Sequence, residues 1–473
     1  MKRSIIIFVL FLFNIVFSQN MYPKEKSIIA VKTDTHPEID GNVVDDPIWK
    51  KIIPTTGFAQ QSPDEGSPAT EKTIVKIAYT KDYFYLSAVC YTNQPQNIII
   101  NDTRRDSPLD DMDSFIFILD TFNDNQNGYA FGTNAAGIEY DAQITKGGEN
   151  ISRIGRFSSG AGGAFNINWD GSWIVKTKIH DDHWSAEFKI PFKTLRYTSK
   201  RTQEWGVNFQ RVNASIQEVS HWSPINRQFT VNRLISAGIL TNVSPPLSQN
   251  IKFIPYFLTQ RNSFSENESK SDNFDTEGGF DGKVSIGSGL NLDLTYNTDF
   301  AQAEADEQQI NLDRFSLFFP EKRAFFLENA GLFSVGDNSF GGSEVSMFFS
   351  RRIGIDPNGN QVPINGGARL TGTIANMRVG LLNMSTKPAD GSPSNEYQIL
   401  RLKKELPNRS HIGAIATNLI KLGSEKYSNE VVGLDAKWGI GEVSQIDGYT
   451  AISKTSSLDK RKSYAFRVQA SST

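Results

Sequence analysis

The chain holds 473 residues with a net charge of −3 and one cysteine, Cys90. A balance so near neutral leaves no electrostatic footprint for nucleic acid. A lone thiol excludes an internal disulfide, so an exported fold of this size must be held by its cores or by a membrane.

Lys2 and Arg3 precede an apolar run from Ile5 to Phe17 and the small residue Ser18. This is the three-part pattern of a secretory signal peptide, expected over residues 1–19. The run is shorter than the roughly 20 apolar residues that a spanning helix needs, and no later stretch reaches that length. No cysteine follows the run to carry a lipid anchor. The mature protein is therefore expected to be exported, and in a membrane it must sit as a closed barrel.

Helical periodicity is nearly absent. Short runs of alternating apolar and polar residues, parted by Gly, Asn, Asp and Ser, predict an all-β protein. Thr73–Thr80 and Tyr83–Tyr91 predict a hairpin around Lys81-Asp82. Ser114–Leu119 and Gly128–Thr133 flank the polar turn Asn123–Asn127. Trp173–Ile179 and Trp184–Ile190 flank His180–His183, and Trp205–Val212 is a further strand. Strands this short and closely spaced predict one β-sandwich over residues 28–240.

Ser-Pro-Pro-Leu-Ser-Gln-Asn, within Asn242–Asn250, breaks the pattern and marks a boundary. Beyond it, Leu290, Leu292, Leu294 and Tyr296 alternate with polar residues. So do Val432, Leu434, Ala436, Trp438 and Ile440, and then Tyr464, Phe466, Val468 and Ala470. Period-2 runs of about 9–11 residues suit outer-membrane strands, and predict an outer-membrane-type antiparallel β-barrel over 250–473. A second sandwich with one wet face would alternate in the same way. The export signal, the number of repeats and aromatics near strand ends (Tyr256, Phe257, Tyr449) favour the barrel. About eleven candidate strands is odd where single-chain bacterial barrels are even, so the barrel is expected to be incomplete. The final Ala-Ser-Ser-Thr, lacking a terminal aromatic, agrees with that expectation.

The segment 299–329 fits neither pattern. It carries Asp299, Glu304, Asp306 and Glu307, then Arg314-Phe315-Ser316-Leu317-Phe318-Phe319-Pro320-Glu321-Lys322-Arg323-Ala324-Phe325-Phe326-Leu327-Glu328. It is too aromatic for a solvated loop and too charged for a lipid-facing strand. An inward-folded plug or lid with charges paired in the lumen is expected.

The strongest local signature is Ile39-Asp40-Gly41 followed by Asp45-Asp46-Pro47-Ile48-Trp49, an Asx-Gly turn leading to a buried Trp. Together with the hairpin at 75–86, Asp113-Ser114 before an apolar strand, and Trp205–Arg211 before Trp222-Ser223-Pro224, it resembles a family 9 carbohydrate-binding module. The resemblance covers nearly all of 28–240. The stretches Asn297–Phe315 and Phe318–Asn329 are similar to a family of Gram-negative outer-membrane proteins of undetermined function, often labelled hydrolases because of that module.

The resemblance implies a sugar ring clamped between two tryptophans, since pyranose faces stack on aromatics while hydroxyls need fixed partners. One should stand before the Asp113-Ser114 strand, where Pro108–Asp113 holds no aromatic. The other should lie near Asn226–Phe229, where Phe229 alone is aromatic. Trp169, Trp173, Trp184 and Trp222 are the substitutes, with core packing as the alternative for each. Arg104, Arg105 and Arg211 are candidates for an anionic ligand, against ordinary ion pairing. The resemblance also implies structural calcium, for which Asp110, Asp111, Asp113, Asp120 and Asp124 supply oxygen donors. Asp120–Gly128 lacks EF-hand spacing, and a solvated turn is the alternative. His180 and His183 share a turn, but zinc would need a third ligand.

No phosphate loop and no G-x-S-x-G elbow is present, so no catalytic motif supports an enzyme. The leading expectation is binding of a polysaccharide or oligosaccharide at the cell outer membrane, in contact with its lipid, tied to carbohydrate breakdown or uptake. A transport or assembly barrel with the sandwich as periplasmic plug or docking module is the second, which the absent clamp favours. A glycoside hydrolase is the third.

Overall fold

The computed structural model describes residues 26–148, 164–198, 200–246, 251–266, 269–286, 289–297, 321, 323–327, 330–335, 345–355, 362–374, 377–388, 393–423, 427–441, 443–456 and 462–472. The expected signal at 1–19 lies outside them, as do the acids Asp299, Glu304, Asp306 and Glu307. No helix among the described residues is long and apolar enough to cross a membrane.

The chain opens with β1 (Ser27–Ile29), β2 (Val31–Lys32), helix α1 (Pro47–Lys51) and β3 (Ala59–Ser62). There follow β4 (Thr73–Tyr79), β5 (Tyr83–Tyr91), β6 (Ser114–Asp120), β7 (Gly128–Asn134), β8 (Tyr140–Ile144) and β9 (Phe165–Asn166). Next come β10 (Ile174–Ile179), β11 (His183–Pro191), β12 (Gln203–Asn213), β13 (Glu218–His221) and β14 (Gly238–Val243). They form a nine-stranded sheet, β1-β14-β12-β6-β7-β8-β9 with β13 and β3 branching from β12, and a five-stranded sheet, β10-β11-β5-β4-β2. Each predicted hairpin is formed: Tyr79 pairs with Phe84, Leu119 with Tyr129, and Ile179 with Trp184.

The two sheets pack face to face because period 2 sends alternate apolar side chains to one side. Phe84, Leu86 and Ala88 of β5 and Trp184, Ala186 and Phe188 of β11 share a core with Phe115, Phe117 and Leu119 of β6 and Trp205, Val207 and Phe209 of β12. The other faces are covered too. Ile116 and Ile118 pack with Leu109, Met112 and Leu234, and Tyr85 and Val89 pack with Trp49. Double coverage explains why β6 and β7 are buried at every position. Burying one Phe or Leu is worth about 1.5–3 kcal/mol.

Beyond residue 250 the strands lengthen. They are β15 (Ile251–Glu266), β16 (Ser269–Ile286), β17 (Leu290–Tyr296), β18 (Ile364–Ile374), β19 (Met377–Thr386), β20 (Ser394–Leu406), β21 (Ser410–Leu422), β22 (Tyr427–Ile440), β23 (Ser444–Thr455) and β24 (Lys462–Ser472). All ten pair antiparallel in chain order. The sequence predicts an incomplete barrel here, and among the described residues the sheet is open, with β15 and β24 as its edges, so no barrel closure is shown.

The expected alternation is present in this sheet. Val432, Leu434, Trp438 and Ile440 of β22 and Phe466 and Val468 of β24 are exposed on one face. Asp293, Arg369, Arg401 and Lys403 are buried on the other. Helices α2 (Ala324–Leu327) and α3 (Ala330–Phe333) lie against that polar face. Their Phe325, Phe326, Leu332 and Phe333 pack with Met347, Ile353, Leu382, Met384, Ile399 and Ile415.

Three arginines hold this segment. Arg323 forms a fork with Glu321 at 2.7 Å on both arms and donates to the carbonyls of Ser350 and Ile353. Arg369 pairs with Asp293 at 2.7 Å and donates to the Phe325 carbonyl. Arg401 pairs with Asp435 at 2.8 Å and donates to the Leu332 carbonyl at 3.1 Å. Planar guanidinium forks suit this double duty, satisfying a buried acid and a helix-end carbonyl together. Of the charged residues predicted to pair in a lumen, Glu321 and Arg323 do pair with each other and are buried.

Candidate functional site

The Asp40-Gly41…Trp49 signature has a structural explanation. Glu187 of β11 accepts the backbone N–H of Asp40 at 3.0 Å, that of Gly41 at 2.7 Å, and the Trp49 indole N–H at 2.6 Å. Gly41 sits at φ +87°, and a Cβ there would stand 2.6 Å from the Thr177 carbonyl carbon. Asp46 caps α1 by accepting the Ile48 N–H, with Pro47 at the first helical position. The signature thus straps the N-terminal segment to the sandwich. Burial pushes the Glu187 carboxyl up to about 7 despite its three donors.

The candidate tryptophans divide. Trp222 is buried, lies tilted against Phe209 at 5.2 Å and donates to Thr55 Oγ1 at 2.8 Å. Trp184 is fully buried in the core. Trp173 is buried and stacks on Phe188 with the rings 13° from parallel. Trp169 is only half-buried, tilted against Tyr129 at 4.9 Å, with its ring over Gly171. Phe229 is half-buried beneath the Arg233 guanidinium at 3.4 Å.

Of the arginines, Arg104 is exposed and paired with Asp102. Arg211 is buried, reaching Glu71, Thr73 and the carbonyls of Lys72 and Tyr91. Arg105 differs from both. It lies 2.5 Å from Asp141, 2.7 Å from Asp170, 3.0 Å from Glu139 and 3.4 Å from Asp106. Glu139 immediately precedes β8 and Asp141 is that strand's second residue, and Asp106 accepts the Asp141 N–H at 3.2 Å. Asp141 also accepts the Gly171 N–H at 2.7 Å, which ties the cluster to the Trp169–Trp173 turn.

Four carboxylates therefore share one guanidinium. Asp141 is 1% exposed, whereas Asp170 is 78% exposed, so the cluster runs from interior to surface. Burial raises the Asp106 carboxyl to about 6 and shifts Glu139 and Asp141 upward as well. Arg105 is expected from sequence, and the Gly171 N–H joins its cluster to the turn between Trp169 and Trp173, whose rings pack on Tyr129, Phe131 and Phe188. Glu139, Asp141 and Asp170 are not expected from it, because no local motif joins positions so far apart.

The proposed calcium ligands do not converge. Asp110 and Asp111 are exposed on a loop. Asp113 is buried and accepts the Ile99 N–H at 2.8 Å. Asp120 accepts the N–H groups of Asp124 and Asn125, and Asp124 accepts those of Gln126 and Asn127. Their oxygens thus build the turn before β7. Among the described residues no group of three or more His, Cys, Asp or Glu stands as a metal ligand set. His180 and His183 stack at 4.3 Å, without a third ligand.

A family described as a domain of unknown function, DUF5916, matches residues 245–384. Among solved structures, the chain is similar to a family 9 carbohydrate-binding module from Caldicellulosiruptor kristjanssonii in complex with glucose. The identity is 17%, the match covers 48% of this chain and 100% of that one, and the TM-score is 0.32. The same organism's module in complex with cellotriose matches at 17% identity over 46% of this chain and 93% of that one, with TM-score 0.31. No curated protein sequence matches the chain.

Proposed function

We propose that the sandwich binds a saccharide at the Arg105 cluster and that the ten-stranded sheet seats the protein in the outer membrane. One observation carries the first part: Gly171, against which the half-buried ring of Trp169 lies, donates its N–H to Asp141 in a cluster where four carboxylates ring one guanidinium. An aromatic surface beside fixed donors and acceptors is the combination that sugar recognition needs. In this reading the pyranose packs on Trp169, its hydroxyls donate to Asp170 and Glu139, and Arg105 donates to a ring or hydroxyl oxygen. The site binds and does not cleave. The resemblance of residues 28–240 to a sugar-binding module agrees with this. The membrane part is supported by the exposed apolar face of the long strands opposite a buried charged face.

The test is calorimetric titration of the full chain in detergent with a panel of neutral oligosaccharides, repeated with Trp169→Ala and Arg105→Ala. Binding lost in both variants supports the site, and binding that survives in both rejects it. No heat from any sugar would favour a second reading, transport or assembly with the sandwich as docking module. A specific contact supports that rival: Thr145, just past β8, lies so close to Gly331 of α3 that a Cβ there would meet it at 3.0 Å.

A further inference from the structure

A second site lies where three parts of the molecule meet. A pocket is lined by Arg401 and Lys403 of β20, His411 of β21, Lys437 of β22, Ser334 just past α3, and Gln126 from the turn before β7. Four of these side chains are basic and none is a carboxylate. The acids that accompany them stand outside the lining. Asp435 is shared between Arg401 at 2.5 Å and His411 at 3.2 Å, and Glu405 lies 2.8 Å from Lys403.

We propose that this pocket binds a small oxyanion of the phosphate or sulfate class. Asp435 and the Leu332 carbonyl take up Arg401's donors and fix its guanidinium in place, so its charge is already oriented. An ammonium carries three N–H donors, and the contact with Glu405 uses one of those on Lys403. Ser334 and Gln126 add neutral donors from the residue past α3 and from the turn before β7. A tetrahedral anion presents oxygens in several directions at once, which suits donors supplied by a sheet, a helix end and a loop. The site is separate from the Arg105 cluster and does not depend on the saccharide reading.

The experiment uses the full chain in a phosphate-free maltoside detergent. Thermal unfolding is followed while sodium phosphate is titrated against sodium chloride at matched ionic strength. A saturable rise in melting temperature with phosphate alone is expected, with apparent affinity reduced at least tenfold in Lys437→Gln and in Ser334→Asp. Ser334→Asp places a negative charge in the pocket from the helix side and leaves the sheet wall intact, so it reports even if Lys437→Gln folds poorly. An equal rise with chloride, or a phosphate response unchanged in both variants, overturns the proposal. A parallel titration with a short-chain phosphatidate separates the sources. Tighter binding than inorganic phosphate supports a lipid headgroup as the natural anion, and equal or weaker binding supports a free one.

Discussion

The carboxylate of Glu187 accepts the indole N–H of Trp49 at 2.6 Å across 138 residues of sequence. The same carboxylate holds the backbone of Asp40 and Gly41, so one buried acid fixes the whole N-terminal strap.

Replacing Glu187 with Gln should destabilise the sandwich by about 1–3 kcal/mol, because the amide NH₂ would face one of the three donors and leave it buried without an acceptor. The pH dependence follows from the raised pKa. In the folded chain the group keeps its proton up to about 7, whereas unfolded Glu releases it near about 4.3. Between those values the folded state binds more protons, so this group's stabilisation is complete below the lower value and is lost as pH rises toward the upper. Denaturant melts from pH 4 to 8 should show the gap between wild type and Glu187→Gln narrowing as pH rises. A gap that stays constant or widens would refute the assignment.

Arg401→Met should cost more than its charge-paired double variant. Removing one partner leaves the Asp435 carboxylate without its bidentate donor and frees the Leu332 carbonyl, a loss of about 3–5 kcal/mol for a broken buried pair. Arg401→Met with Asp435→Asn should recover part of that loss. Unfolding in detergent, monitored by tryptophan emission, reads the difference, and equal destabilisation in both variants would dismiss the pairing as a stabilising element.

At the candidate site, Trp169→Ala should weaken saccharide binding at least tenfold with little change in melting temperature, since its ring is only half-buried. Arg105→Met should do both, because Asp141 would lose its cation while staying 1% exposed. Comparing binding and melting for the two variants separates recognition from scaffold.

If the long-strand sheet faces lipid, Leu434→Lys should cost about 2–4 kcal/mol for a position near the bilayer midplane, and less near an interface. Leu434 is 57% exposed on the apolar face. Refolding into liposomes measures this, and a neutral effect there would argue against lipid contact.

What could be read from the sequence was the β-strand pattern. Period-2 runs such as Val432 to Ile440 reappear strand for strand, because alternation fixes which face each side chain takes. The site was largely hidden. Arg105, Glu139, Asp141 and Asp170 meet only after β6, β7 and β8 have paired, and nothing local announces that. Glu187 was hidden for another reason. In Trp184-Ser185-Ala186-Glu187-Phe188 it occupies a position that alternation assigns to solvent, yet the strap covers that face. The sole hint was that a buried Trp49 needs an acceptor for its N–H. Asp120 and Asp124 are ambiguous in sequence, since a turn made of backbone-accepting carboxylates has the same composition as a calcium loop.

The parallel pairing of β1 with β14 sets Ser27 beside Ile239, so the start of the sandwich lies next to its end. Any tag, fluorophore or fusion attached at Lys26 will stand beside β14, the last strand of the sandwich. Labels meant to report on sugar capture belong at the loop carrying Asp110 and Asp111 instead, whose exposed side chains leave room for a probe without touching that strand pair.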